Sequence, residues 1–362
     1  VNLTSQEGNE SPLKDGLGYK NHLEYIFPEN TKSGIYLIDK KYPVIIKSTK
    51  PSEITVVYPF GNNVLYQSYK NQNVFSLKGK YASLNRTSPI DEYSLGLKSL
   101  FNSLDSLSSV NYITDLDMEN LANFDQSKLL ILYGKSSCWT TKMKSSLTSY
   151  IANGGNLLLM STHGLNNICW YNKDLNRITM YNDSSSRIIS WYDFNQQQPE
   201  KTIGISYKSG GYSDNSKYKY LDKTHPILKG MKLDTLNLKA NLYSSPPIKW
   251  KDKLPQIDLD TLSFYRGEIV AFEKASFGNN KRGIKGIFVL QPDSNSGRIV
   301  SLGSEDWCLK ENFEERPLIY KQSHGRTNAG CITLGWKYEI LMKEKSGKLS
   351  GRLDMDIASI LK

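Results

Sequence analysis

The clearest pattern along the chain combines two apolar runs with one helical stripe between residues 128 and 160. The first run lies within 128–133 and ends at Gly134, with the length expected of a buried strand. A stripe at helical spacing follows, made of Met143, Leu147, Tyr150 and Ile151. Gly154-Gly155 can end that helix, and residues 157–160 repeat the strand pattern. The pattern predicts a βαβ unit with parallel strands and a right-handed crossover.

Shorter patterns predict further elements on both sides of this unit. Three β-rich runs within 33–60 predict antiparallel strands that lead into the sheet. Apolar residues at helical spacing predict a helix over 92–107, and residues 112–114 predict a short strand. Residues 262–302 contain three strand-like runs, and the segment 331–345 predicts a final helix. Together these elements predict an α/β protein.

Composition divides the chain into segments of different character. Four parts are expected: a flexible arm over 1–20, a β-rich segment over 21–61 that packs on the core, an α/β domain over 62–345 with a polar insertion around 172–220, and a tail over 346–362. A chain of 362 residues is long enough for one large domain or two ordinary ones.

Charge and hydropathy argue against a nucleic-acid partner and against a membrane span, respectively. The net charge is +10, but the lysines are scattered, and no basic stripe is interleaved with aromatic residues as in a nucleic-acid groove. We therefore expect no nucleic-acid partner. No stretch approaches the roughly 20 apolar residues that span a bilayer, so no membrane span is expected either.

The cysteine pattern bears on the compartment. None of the four cysteines forms a C-x-x-C pair, and four in this length are too few for a disulfide scaffold. Reduced thiols slightly favour a cytoplasmic location. Secretion stays open, because a chain that starts at Val1 can follow processing of a leader.

Two loops at the predicted carboxyl ends of the parallel strands carry candidate chemistry. Ligands bind at this edge of such sheets, and the loops contain Cys138 and His163. Cys138 precedes a helix whose N-terminus would lower its pKa, and His163 could activate the thiol as a nucleophile. The alternative is an inert, half-buried thiol. The lack of a tight glycine-flanked elbow at Ser137-Cys138-Trp139 favours this alternative.

The order of short motifs resembles a known family, the C-terminal domain of the large (β) subunit of N,N-dimethylformamidase. The family's SGxY, AYN and SxxRP segments resemble residues 33–36, 68–70 and 83–86, with the proline displaced to Pro89. Its VTDLDL, GHDEYWS and GGNL segments resemble residues 113–118, 134–140 and 154–157. Its GYE and GSIDW segments resemble residues 271–273 and 303–307. The resemblance spans roughly residues 33–310, enough for a whole domain.

This resemblance implies a fold and a cofactor. It implies a three-layer, glutamine-amidotransferase-like (flavodoxin-like) parallel sheet with added antiparallel β segments. It also implies a mononuclear iron held by two tyrosines and a glutamate, and a small second subunit. Residue by residue, one tyrosine is Tyr69, the glutamate is Glu273, and the second tyrosine falls on Cys138. The family's loop His and Glu fall on Lys135 and Ser137, which removes groups suited to proton transfer.

The candidate site residues can also be interpreted as serving only the structure. Tyr69 and Glu273 could be metal ligands, or a buried carboxyl could accept a hydrogen bond from the phenol. Glu305 and Asp306 could form an acid pair that faces the site, or they could cap a helix.

Two hypotheses for the function follow. The first is a hydrolase of small amides or other C–N bonds, with a remodelled metal site or a cysteine nucleophile. The second is a relative with a degenerate active site that binds or assembles, as a homo-oligomer or in a larger structure. The rewritten loop at 134–139 favours the second hypothesis, and the retained Tyr69 and Glu273 favour the first.

Overall fold

Unbroken apolar runs form the central strands of this protein. The computed structural model describes residues 15–16, 26–68, 73–75, 81–86, 88–107, 109–194, 197–212, 216–228, 237–238, 242–277 and 281–309. The strands are β1 (Gly34–Ile38), β2 (Tyr42–Ile46), β3 (Ile54–Tyr58), β4 (Tyr81–Ser83), β5 (Val110–Thr114), β6 (Leu129–Tyr133), β7 (Cys138–Trp139), β8 (Asn156–Met160), β9 (Asn167–Asn172), β10 (Arg177–Met180), β11 (Ser206–Tyr212), β12 (Ser216–Lys217), β13 (Lys219–Tyr220), β14 (Asn237–Leu238), β15 (Leu242–Ser245), β16 (Ile248–Lys251), β17 (Leu254–Ile257), β18 (Arg266–Phe277), β19 (Lys281–Gln291) and β20 (Ile299–Ser301). The helices are α1 (Phe60–Tyr66), α2 (Glu92–Gly96), α3 (Lys98–Leu107), α4 (Thr141–Ala152), α5 (Glu200–Ile203) and α6 (Leu259–Leu262).

Five parallel strands form one part of an eight-stranded sheet in the described part of the chain. Their order across the sheet is β5-β3-β6-β8-β20, and every neighbouring pair is parallel. Counted along the chain, this order is 2-1-3-4-5, as in flavodoxin-like sheets. Beyond β20 the sheet continues through β19, β18 and β13, which pair antiparallel. The predicted α/β class, a parallel sheet with antiparallel additions, is confirmed.

The predicted βαβ unit is present as β6, α4 and β8. Thr140 caps α4 by accepting a hydrogen bond from the backbone N–H of Met143 at 3.2 Å. Gly154 ends the helix with a φ of +90°, a left-handed conformation that favours glycine. Gly155 is needed for space, because a Cβ there would lie 2.3 Å from the Tyr150 ring.

Apolar residues cover both faces of the sheet. Val56 and Tyr58 of β3 pack on one face with Leu100 and Leu104 of α3. The alternate residue Val57 packs on the opposite face, together with Leu147 and other residues of α4. Alternation along a strand therefore gives the sheet a helix on each side, and each fully buried leucine contributes about 1.5–3 kcal/mol.

The predicted direction of the third N-terminal strand is wrong. The strands β1 and β2 do form an antiparallel hairpin. The strand β3, however, lies between β5 and β6 and runs parallel to both. The physical reason is its Thr55–Tyr58 run, which is buried on both faces, as strands in the middle of parallel sheets are.

Other predictions are refined or lie outside the described residues. The helix expected over 92–107 is two helices, α2 and α3, and Asp91 caps the first through Ser94 N–H at 2.8 Å. Part of the polar insertion has regular secondary structure, since β10 pairs with β4 and β9. Apart from residues 15–16, the expected arm over 1–20 lies outside the described residues, as do the helix over 331–345 and the tail. Among the helices of the described chain, none is both long and apolar enough to cross a membrane.

Candidate functional site

The carboxyl ends of the parallel strands bring several polar segments to one edge of the sheet. α1 begins two residues after β3, and Asp115 follows β5 directly. The loop 134–137 follows β6, His163 follows β8, and residues 303–308 follow β20. This is the edge at which open α/β sheets bind ligands.

The loop after β6 is held closely against its neighbours. The backbone N–H of Cys138 donates to Asn62 Oδ1 at 2.9 Å, and Trp139 Nε1 donates to the Ser136 carbonyl oxygen at 2.7 Å. Cys138 and Trp139 then pair with Asn167 and Ile168 as the short strand β7 beside β9. The loop is therefore an ordered part of the fold.

The buried carboxylate of Asp115 is connected to this loop by hydrogen bonds. Asp115 accepts hydrogen bonds from the backbone N–H groups of Gly61, Asn62 and Leu116 at 2.8–3.0 Å. It also accepts one from Asn62 Nδ2 at 2.9 Å. Asn62 thus joins Asp115 to Cys138, and the two carboxylate oxygens are fully used in holding the backbone.

The Cys138 thiol is enclosed. The residue is 2% exposed, and burial raises the pKa of its thiol to about 12. This shift is opposite to the one expected from a helix N-terminus, because α4 begins only at Thr141 and desolvation dominates. The adjoining cavity, which Lys135, Ser136 and Trp139 help to line, has a volume of about 10 Å³. Such a space holds no more than about one water molecule.

His163 follows β8 and is partly buried. Its ring stacks on Tyr207 with the centroids 4.3 Å apart, and burial lowers the pKa of the imidazole to about 4. In the part of the chain that the structure describes, neither a hydrogen bond nor an ion pair joins His163 to Cys138. The roles of Cys138 and His163 as a nucleophile and its base stay predictions.

Glu305 faces the edge as the first residue of a short 3₁₀ helix, Glu305–Cys308. It accepts a hydrogen bond from the Tyr93 hydroxyl at 2.9 Å, and its backbone N–H donates to Thr162 Oγ1 at 3.2 Å. Burial raises the pKa of the Glu305 carboxyl, and the nearby Lys135 opposes that rise. Lys135 lies over the Tyr66 ring, 5.1 Å from its centroid.

Glu273 lies on β18 directly opposite Lys285 on β19. Lys285 Nζ is 2.5 Å from Glu273 Oε2, and the two side chains are 1% and 12% exposed, respectively. The other residue carried over as a metal ligand, Tyr69, lies outside the described residues.

The described residues of the carried-over iron set do not fit a metal centre. The Glu273 carboxylate already faces an ammonium group, and the Cys138 thiol is enclosed beside a cavity of only about 10 Å³. Within the described chain, no three His, Cys, Asp or Glu side chains are grouped as metal ligands would be. A metal ion needs space beside its ligands, and a neighbouring ammonium group repels it.

Sequence reasoning missed two residues of this edge, Asn62 and Lys285. A lysine flanked by the apolar run 286–290 was the available signal, because a charge inside a buried strand requires a partner. Asn62 offered no comparable signal, since its role depends on the distant residues Asp115 and Cys138.

Comparisons with known proteins give one family match and several distant structural likenesses. Residues 14–310 match the family model described as N,N-dimethylformamidase beta subunit-like, C-terminal. No curated protein matches the sequence.

The structural likenesses are remote. The β-galactosidase Gan42B from G. stearothermophilus, of family GH42, has 11% identity and a TM-score of 0.37, with 77% of this chain and 31% of that chain covered. The chain therefore spans about a third of that enzyme's length. The cytoplasmic protein STM3548 from Salmonella typhimurium has 9% identity and a TM-score of 0.33, with 60% and 78% covered. A putative ThuA-like protein from Parabacteroides merdae has 12% identity and a TM-score of 0.30, with 70% and 78% covered.

Proposed function

This chain belongs to the N,N-dimethylformamidase beta subunit-like family, and on that premise we propose that it is a non-catalytic relative that serves in binding or assembly. It keeps a three-layer, glutamine-amidotransferase-like arrangement and has a degenerate active site in the loop after β6. The proposal departs from the hydrolase chemistry of the family because, of the residues carried over for that chemistry, Cys138 is enclosed and Glu273 is ion-paired with a lysine.

One observation carries the proposal: the loop after β6 leaves no room for a substrate. The cavity beside Cys138 measures about 10 Å³, whereas pockets for small ligands measure about 300–1,000 Å³. The Cys138 thiol is buried, and its backbone N–H is bound by Asn62. An amide would have to displace an ordered, hydrogen-bonded loop before it could reach the thiol.

An activity assay tests this proposal. Purified protein is incubated with formamide, acetamide and N,N-dimethylformamide, with and without added Fe²⁺ and Zn²⁺, and the release of ammonia or dimethylamine is followed. We expect no release above the buffer rate. Release that scales with protein concentration and disappears in a Cys138→Ala or Glu305→Gln variant would refute the non-catalytic proposal.

A second candidate, a metal-independent amide hydrolase, is favoured by Glu305. A buried carboxyl with a raised pKa at a strand's carboxyl end is typical of a general acid–base group. In that reaction Glu305 would take a proton from water as its oxygen bonds to the amide carbon. The proton would then pass to the nitrogen as the C–N bond breaks. Activity lost in Glu305→Gln but kept in Cys138→Ala would select this candidate.

We also propose that the assembled partner is a second copy of this chain. Trp170 on β9 is 55% exposed and Tyr181, just after β10, is 44% exposed; these large aromatic residues border one shallow surface depression. Light scattering would measure the molar mass of the parent, of Trp170→Ser and of the matched control Tyr265→Ser, whose parent residue is 66% exposed elsewhere. We expect an oligomer that only Trp170→Ser weakens, and a monomeric parent would contradict this.

A further inference from the structure

The Glu273–Lys285 pair lies inside the protein on the β18–β19 hairpin. The register places the two residues directly opposite each other, with Lys285 Nζ 2.5 Å from Glu273 Oε2. The contact is ionic rather than a well-aligned hydrogen bond, because among the described residues Oε2 has no partner that meets hydrogen-bond geometry. A buried carboxylate requires either several hydrogen bonds, as at Asp115, or a positive charge, and here a lysine supplies the charge.

Several buried polar atoms close to this pair have no hydrogen-bond partner in the described part of the chain. They are Tyr218 Oη, Tyr243 Oη and Trp307 Nε1, in residues that are 5%, 0% and 0% exposed. Lys285 Nζ lies 5.8 Å from the centroid of the Tyr218 ring, and the Tyr218 and Trp307 rings are 6.1 Å apart. Buried polar atoms without partners are uncommon in native proteins and call for a physical explanation.

Tyr243 approaches the same face of β19 as Lys285. Gly283 and Lys285 are two residues apart on this strand, so substituents at both positions point the same way. A Cβ built at Gly283 would lie 3.1 Å from Tyr243 Oη. Burial raises the pKa of the Tyr218 and Tyr243 hydroxyls, and the charge of Glu273 adds to both rises.

We infer that Glu273, Tyr218 and Tyr243 form a cation site whose resident cation is the Lys285 ammonium group. The site has one carboxylate and two phenol oxygens, which are hard donors of the kind that bind hard metal ions. The ammonium supplies the charge that the carboxylate requires and lies against the Tyr218 ring. The inference does not depend on the proposed function, because an ammonium in this site is compatible with either an active or an inactive protein.

The inference explains why the carried-over metal set does not fit. A metal ion next to Glu273 would lie within a few ångströms of the ammonium, and like charges at that distance repel strongly in a protein interior. The side chain of Lys285 therefore excludes a metal both by charge and by volume. Removal of both the charge and the volume of the Lys285 side chain should allow the site to bind a metal.

Substitution of Lys285 tests this directly. Lys285→Ala removes the charge and opens space, whereas the matched control Lys285→Met removes the charge but fills the space. Each protein is incubated with Fe³⁺ citrate or Zn²⁺, desalted and analysed by plasma mass spectrometry and visible absorption. We expect about one metal per chain in Lys285→Ala only, with a phenolate-to-iron absorption band for Fe³⁺. The parent and Lys285→Met should hold none, and Glu273→Gln/Lys285→Ala should lose the gain.

Each outcome of these measurements is decisive. Because Lys285→Ala leaves a buried carboxylate uncompensated, its thermal unfolding is measured with and without each metal. Stabilisation by metal in Lys285→Ala but not in Lys285→Met supports the inference. Stoichiometric metal in the parent that is lost in Tyr218→Phe would overturn it. A Lys285→Ala protein that takes up no metal, or that stays unfolded in the presence of metal, would also overturn it. Amide hydrolysis is a separate measurement, so the proposed function can fail while this inference holds.

Discussion

Two clusters at this edge differ in how completely their polar groups are satisfied. Around Asp115, both carboxylate oxygens accept hydrogen bonds and Asn62 links them to the Cys138 loop. Around Glu273, one ion pair has phenol and indole groups beside it that find no hydrogen-bond partner among the described residues. A fully satisfied buried network makes a fold rigid and specific, whereas a partly satisfied one leaves groups available to a ligand.

The sequence suggests that the Cys138 loop is the reactive site. The difference in hydrogen bonding favours the Glu273 cluster instead. The loop with Cys138, which holds the candidate nucleophile, belongs to the cluster whose polar groups are hydrogen-bonded to one another. The Glu273 cluster, where Lys285 provides the positive charge, retains buried donors that have no partner among the described residues. The experiments below change one cluster at a time, so that their roles can be compared by stability and by reactivity.

The largest effect is expected at the centre of the satisfied network. Asp115→Ala should lower the free energy of unfolding by about 4 kcal/mol, because it leaves several buried N–H donors without acceptors. Urea unfolding followed by tryptophan fluorescence measures the loss. The matched control Asp125→Ala, at an exposed position, should change stability by less than about 0.5 kcal/mol. Similar losses in both variants would contradict a special role for the network.

The ion pair in the second cluster should give the next largest effect. Lys285→Met should cost about 3 kcal/mol, because the Glu273 carboxylate stays buried without its counter-ion. The double variant Glu273→Leu/Lys285→Met should recover most of that loss, since it removes both charges. Urea unfolding of the two single variants and the double variant gives the coupling free energy. A double variant with the summed loss of the single variants would show that the two charges are not coupled.

His163, which follows β8 at the same edge, should make stability depend on acid pH. Its folded-state pKa of about 4 lies below the ordinary value of 6.5, so the unfolded chain binds the proton more readily. Its contribution is therefore fully present above pH 6.5 and is lost as the pH falls through 4. After allowance for partial exposure, the loss should be about 2 kcal/mol. Urea unfolding between pH 7 and 4 should show a weaker dependence in His163→Phe than in the parent, and equal dependence would contradict this assignment.

Local pattern was enough to predict much of the sheet. The elements β6, α4 and β8 follow from unbroken apolar runs and a helix stop at Gly154. The direction of β3 was predicted wrongly as antiparallel, because the turn at Pro51-Ser52 has the same composition before an antiparallel or a parallel strand. The buried run of β3 was the stronger signal for a place inside a parallel sheet.

The candidate site was less predictable because its contacts join distant parts of the chain. The position of Cys138 in a loop at the carboxyl edge could be inferred, but its burial depends on Asn62 and Asp115. The pairing of Glu273 with Lys285 depends on the register of a hairpin, and a shift of one residue would place the lysine on the other face. Sequence spacing does not specify that register.

The smallest change in stability, and the sharpest test of the contrast between the clusters, is expected at Cys138. Cys138→Ala should cost only about 1 kcal/mol, because the backbone hydrogen bond to Asn62 stays and only a small buried group is removed. The native thiol should react with iodoacetamide at least about 100-fold more slowly than in urea, since burial keeps it protonated and inaccessible. Peptide mapping by mass spectrometry measures this rate, with the fully buried Cys308 as the reference. Rapid native labelling of Cys138 alone would mean that the loop opens, and Cys138 would then again be a candidate reactive residue.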